Sequence, residues 1–212
     1  MDIHLNSLIP HPLEENIDSG SIWRKDTTLF SNKKYLAIAP SGKGKSTLIN
    51  ILAGNRKDYQ GNVLIENKQL KSFTLNEIAY YRQSKISVVY QDLKLFPQLS
   101  AYENIDIKQR VFKHVNKDKI LYFFERMGLK GFENKPTYQM SMGQQQRLAI
   151  IRAFSQPFKW LLMDEPFSHL DDVNIEIITA CIDEQLKENN AGLLLTSLGS
   201  KYQFNDYTLV QV

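Results

Sequence analysis

The chain has 212 residues, 42% of them hydrophobic and 23% charged, with a net charge of +3. This composition excludes an intrinsically disordered chain, and the small positive charge does not by itself indicate nucleic acid as a partner. The single cysteine, Cys181, excludes an internal disulfide framework. Because Cys181 falls in an apolar helical stretch, we expect a buried structural thiol.

No stretch of the sequence approaches the roughly 20 apolar residues that a membrane-spanning helix needs. The first residues, M-D-I-H-L-N-S-L-I-P, lack the basic start and continuous apolar run of a signal peptide. We therefore expect a cytoplasmic chain, with any membrane role arising through a partner.

Short apolar segments and amphipathic segments alternate along the first half of the chain. Y-L-A-I-A at 35–39 predicts a buried strand, and K-S-T-L-I-N-I-L-A-G after it predicts a helix that stops at Gly54. Segments 61–67 and 85–92 predict two further strands.

The second half begins with a helical pattern, from about residue 102 to 154. W-L-L-M-D-E-P at 160–166 then predicts a buried strand, 173–188 an amphipathic helix, and 192–197 and 207–212 two more strands. Buried strands that alternate with helices predict an α/β fold with a largely parallel core sheet. The helical middle predicts a subdomain inserted into that core.

The loop A-P-S-G-K-G-K-S-T at 39–47 nearly matches the phosphate-binding pattern G-x-x-x-x-G-K-[ST], with Ala39 in place of the first glycine. An alanine is tolerated there if its φ is negative. The strand before the loop and the helix after it are the context that the motif needs. The alternative is a glycine-rich turn with a nearby lysine.

A working loop of this kind holds phosphate with backbone N–H groups and the start of the following helix. Lys45 adds a positive charge for the β- and γ-phosphates, and Ser46 adds a hydroxyl for Mg²⁺. The predicted nucleotide-binding residues of the loop are Ser41, Gly42, Lys43, Gly44, Lys45, Ser46 and Thr47.

Two acids end the apolar strand at 160–166. A strand of this kind typically delivers a carboxylate, here Asp164, to Mg²⁺ beside a bound nucleotide. Glu165 follows, where it can polarise an attacking water. The alternative is a strand that ends in a solvated acidic turn.

The segment Q-M-S-M-G-Q-Q-Q-R-L-A-I-I-R-A-F at 139–154 resembles the signature of ATP-binding cassette (ABC) ATPases, L-S-G-G-Q followed by Q-R-x-x-x-A-R-A. By this resemblance Ser141, Gly143 and Gln144 bind the nucleotide held by an opposite subunit. Gln91 in V-V-Y-Q-D resembles the glutamine-loop residue, which contacts Mg²⁺ and relays to a membrane partner. S-H-L-D at 168–171 resembles the D-loop of the dimer interface.

The resemblance covers the chain from about residue 20 to its end. It implies a P-loop NTPase core, at about 1–92 and 158–212, with an N-terminal antiparallel β part and a helical subdomain at about 93–157. It also implies an ATP-binding and ATP-hydrolysing subunit that works with Mg²⁺ as a homodimer or paired cassette. A transmembrane permease would hold this subunit peripherally at the inner face of the membrane, with no nucleic acid involved.

Residues 80–105 look most like cassettes of the lipoprotein-release, macrolide-export and cell-division type. Three positions depart from the family pattern: Ala39, Met142 in place of a signature glycine, and Ser197 in place of the switch histidine. The predicted catalytic residues are Glu165, Gln91 and, at the position of the switch histidine, Ser197. The alternative function is a cassette with weak or no hydrolysis that acts as a regulatory or scaffold module.

One tryptophan and two histidines, Trp23, His11 and His169, are candidates for lesser roles at this site. Trp23 and His11 lie in the region where the family stacks an aromatic on adenine, but Trp23 is better explained by core packing. His169 of the D-loop is expected to be a surface or interface residue.

Overall fold

The computed structural model describes residues 1–13, 21–112, 117–199 and 206–212. Its strands are β1 (Ile3–Pro10), β2 (Thr27–Leu29), β3 (Lys34–Ile38), β4 (Tyr59–Ile65), β5 (Lys68–Gln69), β6 (Ile86–Val89), β7 (Trp160–Asp164), β8 (Gly192–Ser197) and β9 (Tyr207–Gln211). Its α-helices are α1 (Lys45–Leu52), α2 (Leu75–Ser84), α3 (Ala101–Phe112), α4 (Lys117–Arg126), α5 (Met142–Phe154) and α6 (Asp172–Asn189).

A five-stranded parallel sheet in the order β6-β7-β8-β3-β9 forms the centre of the fold. Every residue of β7 and β8 is buried, as expected for parallel strands that are covered on both faces. The register pairs Asp164 with Thr196 and Ile38 with Ser197. The carboxyl ends of the three central strands therefore meet at one edge.

A second, antiparallel sheet in the order β2-β1-β4-β5 contains the N-terminal strand. The register of β1 against β4 shifts between Asn6 and Ile9. Gly61 lies opposite this irregularity with a φ of 74°, and a Cβ there would lie 2.3 Å from the carbonyl oxygen of Ser7. Only glycine fits such an approach, because both the left-handed φ and the contact exclude a side chain. This sheet confirms the predicted antiparallel β part.

Two hydrophobic clusters hold these layers together. One lies among the parallel sheet and helices α3 to α6, and it includes Cys181, which is buried as expected. The other joins the two sheets to α1. Ser87 links the layers further, since its buried hydroxyl donates to the carbonyl oxygen of Ala153 at 2.7 Å.

The predicted helical region contains α3, α4 and α5, separated by turns and one 3-10 turn at Thr137–Gln139. Residues 113–116 of that region lie outside the described residues. Helix α2 is absent from the predicted elements, because half of its residues are polar and it buries Tyr81 alone. A capping box formed by Thr74 and Glu77 starts that helix. None of the described helices combines the length and apolarity required to cross a bilayer.

Substitution of Phe123 on α4 tests the packing of the hydrophobic core in the helical region. It is fully buried, and its ring centroid lies 5.1 Å from that of Phe154 on α5. Phe123→Ala should lower the free energy of unfolding by about 3–5 kcal/mol, because it removes buried apolar surface and leaves a cavity. Urea denaturation measures this change. The matched control is Leu121→Ala on the exposed face of the same helix, and an equal loss in both variants would contradict the packing described.

Candidate functional site

The loop between β3 and α1 is shaped for close approach of a ligand to the backbone. Gly42 and Gly44 have φ values of 82° and 100°, whereas Ala39 lies outside this left-handed region. The alanine that breaks the motif is therefore accommodated without backbone strain. A Cβ at Gly44 would lie 2.4 Å from Leu13 Cδ1 and 3.0 Å from Trp23 Cζ2, so this position requires glycine.

Helix α1 begins directly behind the loop, with Gly44 as its N-cap residue. Because glycine has no side chain, it leaves the N–H groups of the first turn uncapped, and these groups and the helix dipole attract an anion. Ser46 and Thr47 stand on this first turn and line the cavity in front of it.

The buried side chain of Lys45 returns to the loop that precedes it. Its Nζ donates to the carbonyl oxygens of Ala39 at 2.7 Å and Pro40 at 3.0 Å. The same nitrogen lies 3.3 Å from Glu165 Oε1. The ammonium group thus lies between the loop and the acid that ends β7.

Thr196 on the neighbouring strand β8 orients both acids of the site. Its Oγ1 donates to the buried Asp164 Oδ1 at 2.8 Å and accepts from the backbone N–H of Glu165 at 3.0 Å. Glu165 itself has a φ of 47°, so the chain turns sharply where β7 ends. The role of Thr196 could not be predicted from local sequence, because it depends on the pairing of β7 with β8.

Two adjoining cavities, of 370 Å³ and 830 Å³, open at this edge of the sheet. Ser46 and Gln91 line both of them, Glu165 lines the first and Asp164 lines the second. The structure therefore brings the predicted loop, Gln91 and the two acids to one place. Within the described residues, no three His, Cys, Asp or Glu side chains form a metal cluster.

The signature residues Ser141, Gly143 and Gln144 start helix α5, away from the lining of these two cavities within the described part of the chain. Ser141 and Gln144 form a capping box. A Cβ at Gly143 would lie 3.0 Å from the carbonyl oxygen of His169, so the helix start packs closely on the D-loop.

Gln146 fixes that contact between α5 and the D-loop. Its side-chain amide donates to Ser168 Oγ at 2.9 Å and accepts from the backbone N–H of His169 at 3.2 Å. His169 is exposed, as expected, and its Nδ1 lies 3.0 Å from Ser168 Oγ.

Two departures from the family pattern have different surroundings. Met142 is half exposed on the first turn of α5. Ser197 is buried at the end of β8, and its carbonyl oxygen accepts from the N–H of Ala39 at 3.3 Å. The next residue, Leu198, lines the cavity in front of the loop.

Of the residues considered for adenine stacking, Trp23 is buried in the core behind the loop. Its Nε1 donates to the carbonyl oxygen of Lys43 at 3.5 Å, so it supports the loop from within. His11 is exposed in the short 3-10 turn His11–Leu13.

Comparison with known proteins defines the class. A family model described as ABC transporter matches residues 24–168. The spermidine/putrescine import ATP-binding protein of Desulfitobacterium hafniense is 36% identical over 146 residues, which is 68% of this chain and 40% of that protein. A putative ABC transporter ATP-binding protein of Mycoplasma pneumoniae is 32% identical over 166 residues, 76% of this chain and 48% of that protein. The chain spans less than half the length of these relatives.

Among solved structures, the dimeric ATP-binding cassette MJ0796, in a post-hydrolysis state bound to ADP and Pi, superposes with a TM-score of 0.78. It is 26% identical, and the match covers 92% of this chain and 87% of that chain. The fold and the site thus define an ATP-binding cassette, the class of ATPase domain found in transporters. The chain belongs to the ABC transporter family.

Thr196→Val keeps the shape of this buried side chain and removes its hydroxyl. Because Asp164 then loses a donor and the Glu165 N–H loses an acceptor, the free energy of unfolding should fall by about 1–3 kcal/mol. Thermal and urea unfolding measure the loss. Thr208→Val, on the exposed side of β9, is the control and should change stability by less than about 0.5 kcal/mol. Equal effects would show that the hydroxyl of Thr196 does not hold the two acids.

Proposed function

We propose that this chain binds Mg-ATP at the loop 39–47 and hydrolyses it at Glu165. The observation that carries the proposal is the meeting of the loop, Gln91 and two acids at the edge of the sheet, with Lys45 Nζ 3.3 Å from Glu165 Oε1. The uncapped start of α1 attracts the phosphates, and Lys45 supplies the charge that neutralises them.

Nucleotide binding changes what Lys45 contacts. In the structure its ammonium group is held by two carbonyl oxygens and Glu165. Phosphate oxygens of ATP compete for the same ammonium group, which releases the Glu165 carboxylate toward the cavity. The freed carboxylate accepts a proton from the attacking water, as a general base.

The proposed metal ligands are Ser46, Gln91 and Asp164, which line one cavity and offer oxygen donors. This set fits Mg²⁺, which takes few protein ligands and completes its shell with phosphate oxygens and waters. When bound, Mg²⁺ neutralises charge that develops on the phosphates. Thr196 keeps the Asp164 carboxylate directed at this position.

We also propose that two copies of the chain, or this chain and a second cassette, close around two nucleotides. The placement of Ser141, Gly143 and Gln144 away from the cavities supports this, because these residues need a nucleotide held by another subunit. A membrane permease is the proposed partner, held peripherally at the membrane. The proposed boundaries are a core of about 1–92 and 158–212 and a helical subdomain of about 93–157. The lipoprotein-release type stays a prediction that the identity of the permease will test.

The second candidate function is an ATP-dependent clamp with weak or no hydrolysis. Ser197 favours it, because a buried hydroxyl replaces the imidazole that the family directs at the γ-phosphate. Losing one such transition-state contact typically lowers a rate by about 10²–10³. In a homodimer both sites share this departure.

Lys45→Ala tests nucleotide binding. Removing a charged donor to phosphate should weaken the affinity for Mg-ATP by roughly 10- to 100-fold. Isothermal titration calorimetry measures this affinity. Lys130→Ala, an exposed lysine after α4, is the matched control and should bind as the wild type does. Unchanged affinity in Lys45→Ala would refute the assignment of the phosphate loop.

Glu165→Gln distinguishes an ATPase from an ATP-dependent clamp with weak or no hydrolysis. If the chain is an ATPase, phosphate release should fall by about 10²–10⁴, while the amide leaves nucleotide binding intact. The variant should then accumulate an ATP-bound dimer that size-exclusion chromatography detects. A wild type that forms this dimer with ATP, yet releases no phosphate even with its permease, would establish the clamp instead.

A further inference from the structure

A cavity of 240 Å³ lies between the core and the helices α3 and α5, apart from the phosphate loop. Its lining includes four cationic side chains: Arg82, Lys94, Lys108 and Arg152. None of the lining residues in the described part of the chain carries a carboxylate. Such a concentration of one charge in a confined space is unfavourable unless an anion joins it.

Three of these cations have partners in the protein. Arg82 donates to the carbonyl oxygens of Ala53 and Gly54, at 3.1 and 2.8 Å. Lys94 pairs with the carboxylate of Asp92 at 2.5 Å, where both side chains are well exposed.

Arg152 donates to the carbonyl oxygens of Leu93 and Lys94. Burial lowers the pKa of Arg152 to about 10, so its guanidinium group still carries a full charge at neutral pH. The two carbonyl oxygens are neutral, and they leave that charge without a carboxylate.

Lys108 on α3 differs from the other three. Among the residues that the structure describes, its ammonium group has neither a hydrogen-bond partner nor an ion-pair partner. Desolvation by burial, and secondly the charge of Arg152, lower the pKa of Lys108 to about 7. Tyr90 is the one phenol among the described residues that line the cavity.

We propose that this cavity is a binding site for a compact oxyanion, a carboxylate or a phosphate group, recognised by Lys108 and Arg152. The cavity has room for such a group and too little for a nucleotide. Guanidinium and ammonium donors are the groups that proteins use to bind both oxyanions. Tyr90 and Lys94 also line the cavity that contains Gln91 and Asp164, so the anion would sit beside the proposed metal ligands.

The test uses the full chain carrying Lys45→Ala, which removes the anion site of the phosphate loop. Sodium sulfate stands in for a phosphate group and sodium acetate for a side-chain carboxylate. NMR of isotope-labelled lysine side chains follows the titration of Lys108. The signal of Lys108 is identified because it disappears in the Lys108→Met variant. An anion that binds the charged form should raise the pKa of Lys108 by about one unit, which corresponds to a tenfold preference for that form.

The comparison of sulfate with acetate identifies the kind of oxyanion that the cavity binds. A larger response to sulfate points to a phosphate group, and a larger response to acetate points to a carboxylate supplied by a polypeptide partner. The absence of any response to both anions would overturn the proposal. Because Lys45 is absent throughout, this result does not depend on nucleotide binding or hydrolysis.

Lys108→Met provides a second measurement that separates binding from folding. Its long apolar side chain fills the same space without a charge, so the variant should be at least as stable as its parent. Sulfate should raise the melting temperature of the Lys45→Ala chain but have at most a small effect on the chain with both substitutions. Lys130→Met is the control for a lost surface charge. Equal stabilisation of all three chains by sulfate would overturn the assignment to Lys108.

Discussion

The register of the central parallel strands is the constraint on which the rest of the structure depends. Asp164 stands opposite Thr196 and Ile38 opposite Ser197, so β3, β7 and β8 end at one edge. The phosphate loop follows β3, and the two acids end β7. A shift of one residue would turn Asp164 to the other face of the sheet and break its hydrogen bond to Thr196. Burial of these strands on both faces opposes such a shift.

Packing behind the phosphate loop also fixes the geometry of the site. Leu13 and Trp23 occupy the space that a side chain at position 44 would need, and they belong to the cluster that joins the two sheets to α1. Leu13 and Trp23 therefore support the loop from the core, while its other side faces a cavity. Ser41, Ser46 and Thr47 line that cavity, and neighbouring carbonyl oxygens hold Lys45 in place.

The residues proposed to bind phosphate and the two positions that depart from the family pattern, Ser197 and Met142, have different surroundings. Lys45, Ser46 and Thr47, which are proposed to hold phosphate, line one cavity. Ser197 is buried at the end of β8, and Met142 is half exposed on the first turn of α5. In the proposed function, one chain attracts the nucleotide and a second subunit completes the site. The cationic cavity lined by Lys108 and Arg152 is the proposed second site for an anion, and it shares Tyr90 and Lys94 with the cavity that contains Gln91.

The sequence by itself determined the α/β class, the phosphate loop, the two acids and the family resemblance. These features consist of residues close together in the chain, whose types and spacing follow from local backbone geometry and phosphate chemistry. Only the tertiary structure decided that Thr196 orients both acids, that Trp23 supports the loop, and that Lys108 and Arg152 line one cavity. Such contacts depend on strand register and on packing between distant segments, because no local pattern encodes which side chains meet across elements. Helix α2 was missed for a related reason, since tertiary contacts and its capping box stabilise a segment with little apolar periodicity.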